Sequence, residues 1–164
     1  RTVYCNFLGS SRKLVVPHRI QGLILNKLSI SEREKSKQDF EIREAIIVGN
    51  STFVKAKRRS GSTTAALISA FDYCMFHHKA KILFACHSYN ASRGAYFLAK
   101  YHLDRLGISE RNKKATIILG NSEINFVTPQ TEVRGIKVDR IVLDNCDMPL
   151  QATCPVLQIQ SYED

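Results

Sequence analysis

No apolar run in the 164-residue chain approaches the roughly 20 residues that a membrane-spanning helix needs, and no signal-peptide pattern opens it. A membrane-embedded or exported chain is excluded on that reading, and a soluble intracellular protein with no membrane partner is expected. Cysteine is too sparse and scattered for a scaffold. Cys5, Cys74, Cys86, Cys146 and Cys154 are odd in number and lack paired CxxC spacing, so they fit neither a disulfide framework nor a zinc site and read as buried thiols of a reducing cytoplasm. No internal repeat or low-complexity segment is present. Acidic side chains are the minority charge, 15 Asp and Glu against 24 Lys and Arg for a formal +9, which favours an anionic partner such as nucleic acid or nucleotide phosphate. What is there is enough for one core: hydrophobic residues make up 44% and charged residues 24%, too apolar for a disordered chain and too short for two ordinary domains. Arg1 stands where an initiator methionine would, which is read as a processed or excised product with a partner domain elsewhere.

The chain changes texture near residue 45. Residues 1–44 hold short apolar stretches, Pro17 and a charged segment, Ser29–Glu44, read as an exposed helix or connector. From Ala45 onward, short β-rich runs alternate with helical segments, the pattern of an α/β domain with a mainly parallel sheet. Strands are expected at Ala45–Val48, Thr52–Ala56, Lys81–Cys86, Thr116–Leu119, Ile124–Val127, Arg140–Leu143 and Val156–Ile159. Amphipathic helices are expected at Thr63–Met75 and Ala91–Leu106, the second stopped by Gly107. The Gly120-Asn121 pair between two β-like runs predicts a hairpin.

Two segments carry chemistry. The first, Ala56-Lys57-Arg58-Arg59-Ser60-Gly61-Ser62-Thr63, lies between a strand and a helix, where a phosphate-cradling loop belongs. Against the Walker A pattern GxxxxGK[ST], Gly61 and Thr63 fit, while Ala56 replaces the first glycine and Ser62 the lysine. Lys57, Arg58 and Arg59 supply the positive charge that Ser62 does not, with Lys57 the candidate displaced lysine; Ser60, Gly61, Ser62, Thr63 and Thr64 complete the candidate nucleotide-binding set. The bland alternative is a basic surface turn entering a helix capped by Ser62 or Thr63. The second segment, Ile141-Val142-Leu143-Asp144, is an apolar strand ending in a carboxylate, the form of a Walker B motif; Thr63 and Asp144 together form the candidate Mg²⁺ site.

Ahead of Asp144 stand Gly120-Asn121-Ser122-Glu123-Ile124-Asn125-Phe126, then Val133-Arg134-Gly135, then Val138-Asp139-Arg140. With the basic loop at 56–63, this ordered set resembles the ATPase of the terminase large subunit, the viral DNA-packaging motor of tailed phages and herpes-like viruses. The resemblance covers roughly Val16 to Met148. It implies a P-loop NTPase three-layer sandwich with an inserted β-hairpin, residues 45–164 being the ATPase core. It implies ATP and Mg²⁺ as cofactors, double-stranded DNA and other packaging proteins as partners, a homo-oligomeric ring, and the cytoplasm of an infected host cell as the location. Arg58 would fill the role of the family's loop arginine. Val16-Pro17-His18-Arg19-Ile20-Gln21 resembles the family's adenine-recognising segment, with Gln21 reading the base.

Two features depart from the family. Asn145 stands where its glutamate activates the attacking water, and an amide cannot act as that base; Asp147 is the nearest carboxylate in sequence. The second departure is the absence of a coupling motif or an acidic nuclease domain after the Walker B strand. ATP hydrolysis by a terminase-like enzyme therefore stands beside two alternatives, a non-catalytic nucleotide- or DNA-binding regulator and a helicase-like fragment. His77-His78 is read as a helix-end pair facing the dipole. Cys86-His87 is rejected as a dyad because neighbours on a strand point to opposite faces.

Overall fold

The computed structural model describes residues 2–7, 10–15, 30–129, 137–147 and 153–163. Strands β1 (Thr2–Phe7) and β2 (Ser10–Val15) pair with each other as an antiparallel hairpin. The remaining elements are α1 (Ile30–Ile47), β3 (Thr52–Lys57), α2 (Ser62–Phe76), β4 (Lys81–Cys86), α3 (Tyr89–Leu106), β5 (Arg111–Lys113), β6 (Thr116–Leu119), β7 (Ser122–Val127), β8 (Arg140–Asp144) and β9 (Val156–Tyr162).

Strands β3 to β9 form one seven-stranded sheet in the order β3-β9-β8-β4-β7-β6-β5. The first five run parallel; β6 and β5 are added antiparallel at the far edge. This is the α/β fold with a mainly parallel sheet and a hairpin that the sequence predicts. The hairpin closes through Gly120-Asn121, where φ is +61° at Gly120 only, the side of the turn that asks for glycine in a type II′ connection.

Why the central strands are central is visible in their residues. In β4, Ile82, Phe84 and Cys86 enter the main core with all three described helices, while Leu83 and Ala85 enter a second, smaller apolar cluster on the opposite face. Burial on both faces calls for an unbroken apolar run, and KILFAC and RIVLD supply one. Strand β3 alternates buried and exposed residues instead, as suits an edge.

The run Ala45–Val48, predicted as a strand, instead holds the end of α1 at Ile47 and the turn residue Val48 after it. Four apolar residues carry no period of their own; what decides is the charged segment before them, whose helix continues so that Ile42, Ala45 and Ile46, spaced by three and four, are buried against the core. α1 is then fastened to α2 by Arg43, whose Nη1 lies 2.5 Å from Asp72 Oδ2. Burial pushes the Asp72 carboxyl above its usual range, and the Arg43 hydrogen bond and charge pull it partly back. No helix among the described residues is long and apolar enough to cross a membrane.

Candidate functional site

Five parallel strands bring their C-terminal residues, Lys57, Cys86, Val127, Asp144 and Tyr162, to one edge of the sheet. The crevice at that edge is where open α/β sheets bind ligands. Because β9 lies between β3 and β8, the basic loop and Asp144 leave strands two steps apart, roughly 9–10 Å at the usual spacing. The first turn of α2 crosses that gap: Thr63 Oγ1 donates to Asp144 Oδ2 at 2.9 Å.

Asp144 is only 8% exposed. Burial holds its carboxyl above the ordinary range, and the Thr63 hydrogen bond and the His87 charge act in the opposite direction. A buried carboxylate beside a hydroxyl is a pair of hard oxygen ligands, suited to Mg²⁺ that takes its remaining ligands from water and phosphate. Among the described residues no cluster of three or more His, Cys, Asp or Glu could hold a metal ion.

The loop between β3 and α2 is shaped by its backbone. Arg59 and Gly61 both take positive φ, +64° and +83°. Gly61 is the N-cap of α2 and offers no side chain to its first-turn N–H groups, whereas α3 is capped by Ser88 Oγ, which accepts from Ala91 N at 3.2 Å. The uncapped donors of Ser62 and Thr63, with the positive end of the helix dipole, face the crevice. Lys57, Arg58 and Arg59 line, with Tyr162 and Glu163, an open cavity of about 370 Å³ beside this loop. Arg58 pairs there with Glu163, and its backbone N–H donates to the Tyr162 carbonyl; both side chains are about two-thirds exposed, so the ion pair is weak and yields readily to a phosphate.

The other sequence-derived candidates divide. Ser60 Oγ is held from α1 by Gln38 Nε2 at 3.0 Å. Ser62 is buried at the loop. Thr64 turns away, its hydroxyl 3.4 Å from His102 Nε2. Gln21 and the whole 16–21 segment, like Val133-Arg134-Gly135, lie outside the described residues. Asn145 follows Asp144 with φ +51°, a conformation asparagine tolerates; its Oδ1 accepts the Ser161 N–H at 2.7 Å and its Nδ2 donates to Ser161 Oγ at 3.1 Å. The amide is thus engaged in fastening β9 to the end of β8. Asp147 Oδ1 accepts from Gln158 Nε2 at 2.6 Å, and since Gln158 is level with Leu143 in the register, Asp147 folds back along the sheet instead of replacing a glutamate at position 145.

The sequence reading gave α1 no part in the site, and it weighed His87 only as a partner of Cys86, not as a neighbour of Asp144. Gln38 and Lys35 reach the loop from the segment read as an exposed helix or connector, with no motif to mark them; His87 follows β4 opposite Asp144, in register through Cys86↔Asp144. Cys74 and Cys86 are buried thiols pushed up to about 12, chiefly by burial, so Cys86 and exposed His87 form no dyad. His77 sits at the C-cap of α2, its Nδ1 2.9 Å from the Tyr73 carbonyl, as the dipole argument expects.

The sheet order, with helices packed on it and two antiparallel strands added at one edge, defines a mixed α/β fold with a mainly parallel sheet. More narrowly, the chain has the fold of the ATPase domain of phage large terminases. The large terminase of a thermophilic bacteriophage superposes with a TM-score of 0.58 at 12% identity, covering 75% of this chain and 38% of that one; the same terminase in complex with ATP-gamma-S gives 0.57. The bacteriophage HK97 large terminase gives 0.54 at 14% identity, covering 84% of this chain and 33% of that one. This chain therefore spans well under half the length of those proteins. No protein-family model matches it, and no curated protein does.

Proposed function

We propose that this chain is the ATP–Mg²⁺-binding part of a viral DNA-packaging terminase, working on double-stranded DNA with other packaging proteins, in a homo-oligomeric ring, in the cytoplasm of an infected cell. The observation that carries the reading is the 2.9 Å contact between Thr63 and Asp144, which joins a phosphate-loop hydroxyl to an acidic strand end across an intervening strand. In this reading Thr63 and Asp144 hold Mg²⁺, Gly61 and Ser62 give backbone N–H groups to phosphate, and Lys57 and Arg58 balance its charge. Solved complexes of the thermophilic phage's terminase with ATP-gamma-S and with ADP support nucleotide as the ligand class.

A second reading, a nucleotide- or DNA-binding regulator without turnover, is favoured by one observation: neither Asn145 nor Asp147 offers a carboxylate at the crevice. Loss of a positioned general base lowers such rates by about 10²–10⁴-fold. Calorimetric titration with ATP and Mg²⁺, run beside phosphate release, separates the two. Binding that is lost in Asp144→Ala and Lys57→Ala and accompanied by turnover supports the motor; binding without turnover supports the regulator; no binding by the parent chain refutes both nucleotide readings.

A further inference from the structure

The lysine of an ordinary phosphate loop is missing at Ser62, and the three basic residues before Gly61 are exposed on the β3 side of the loop. One more cation reaches Gly61 from outside the loop. Lys35, on α1, places its Nζ 3.8 Å and its Cε 3.9 Å from the point where a Cβ on Gly61 would stand. The ammonium therefore rests over the glycine next to the vacated lysine position.

Lys35 is held there by more than chance. Lys35, Gln38 and Ile42 are spaced by three and four and so share one face of α1. Gln38 is hydrogen-bonded to Ser60 in the same loop, Ile42 is fully buried in the core, and the Arg43–Asp72 pair ties the helix to α2. An arm anchored at these points presents its next turn to the loop. The stem of a lysine then carries a compact charge with rotatable donors to the mouth of α2.

We infer that Lys35 is the phosphate-binding lysine of this site, supplied from α1 in place of the residue that Ser62 has replaced, and that it contacts the β- and γ-phosphates of bound nucleotide. The inference rests on the nucleotide reading above, and its test separates the two. Titration of the full chain with Mg²⁺-ADP and Mg²⁺-ATP is compared for the parent, Lys35→Ala, Lys35→Arg, Lys37→Ala and the double variant Lys35→Ala/Ser62→Lys.

Loss of a charge-assisted phosphate contact weakens both nucleotides in Lys35→Ala by about 10- to 100-fold. AMP, with neither β- nor γ-phosphate, loses less than about two-fold in competition. Lys35→Arg keeps most of the affinity, Lys37→Ala keeps all of it, and returning a lysine to position 62 restores binding to Lys35→Ala. Lys35 also faces the half-buried Asp39 carboxyl, which its charge holds down against burial, so it is the double variant, which lacks that charge yet regains affinity, that excludes a folding defect as the cause. Lys35→Ala binding ADP and ATP as the parent does, while Asp144→Ala fails to bind, overturns the role of Lys35 alone. A parent chain that binds neither nucleotide overturns both readings.

Discussion

Gly61 carries two demands at once, a left-handed backbone and an uncovered helix end. Among the described residues a Cβ there meets only Lys35, at ordinary contact distance, so the difficulty with Gly61→Ala is its φ of +83°. The expected cost is about 1–2 kcal/mol of stability, read by denaturant unfolding, with a further loss of nucleotide affinity. At Asp144 the two effects separate. Its carboxyl is held high by burial, and a group raised in the folded state favours folding while protonated, below its unfolded pKa, and loses that contribution as pH rises through its folded value. Asp144→Asn is therefore expected to raise the melting temperature of the unliganded chain at neutral pH, with the gap closing in acid, and to abolish Mg²⁺-dependent binding. A lower midpoint at neutral pH would contradict this account. Residue by residue, the meeting of Thr63 with Asp144 was legible because hydroxyl and carboxylate stand at definite places relative to helix and strand ends. Asn145 was legible only as a missing base; that its amide fastens Ser161 depends on β9 being its neighbour, which no spacing discloses.

At the scale of elements, the packing of α1 on α2 includes an ion pair from Arg43 to a buried carboxylate. Arg43→Ala leaves Asp72, whose side chain is 3% exposed, without its partner, and the expected loss is about 3 kcal/mol. Because the bare Asp72 carboxyl then gains more from protonation in the folded chain than in the unfolded one, the penalty is largest at neutral pH and shrinks as pH falls. Urea midpoints at the two ends of that range check both statements; a penalty independent of pH would mean that lost packing, not the stranded charge, is responsible. The same helix shows where sequence reading stops. Strands β4 and β6 were bounded correctly because their apolar runs end at turn residues. The run Ala45–Val48 was misread because its helical state comes from continuity with a charged segment and from burial against α2. Lys35 and Gln38 read as residues of an exposed helix or connector, because nothing in the segment says what that helix packs against.

At the scale of the whole molecule, the formal charge of +9 and the proposed DNA partner lead to one measurement. Binding of duplex DNA should fall steeply with salt, the logarithm of affinity declining linearly with the logarithm of salt concentration at a slope of about 0.9 per phosphate neutralised. A slope near zero would remove the phosphate backbone as the partner.

The placement of β9 has a consequence in time. Ser51, just before β3, accepts a hydrogen bond from Val156 N at the start of β9, 105 residues later, and β3 has no other sheet partner among the described residues. On a ribosome adding about 5–20 residues per second, β3 waits roughly 5–20 seconds for the strand that fixes it beside β8. Until then the Thr63–Asp144 contact can join the loop to β8, but the two-strand spacing that β9 imposes is not yet fixed. A ligand that recognises only the completed sheet edge would pull that last insertion forward by mass action.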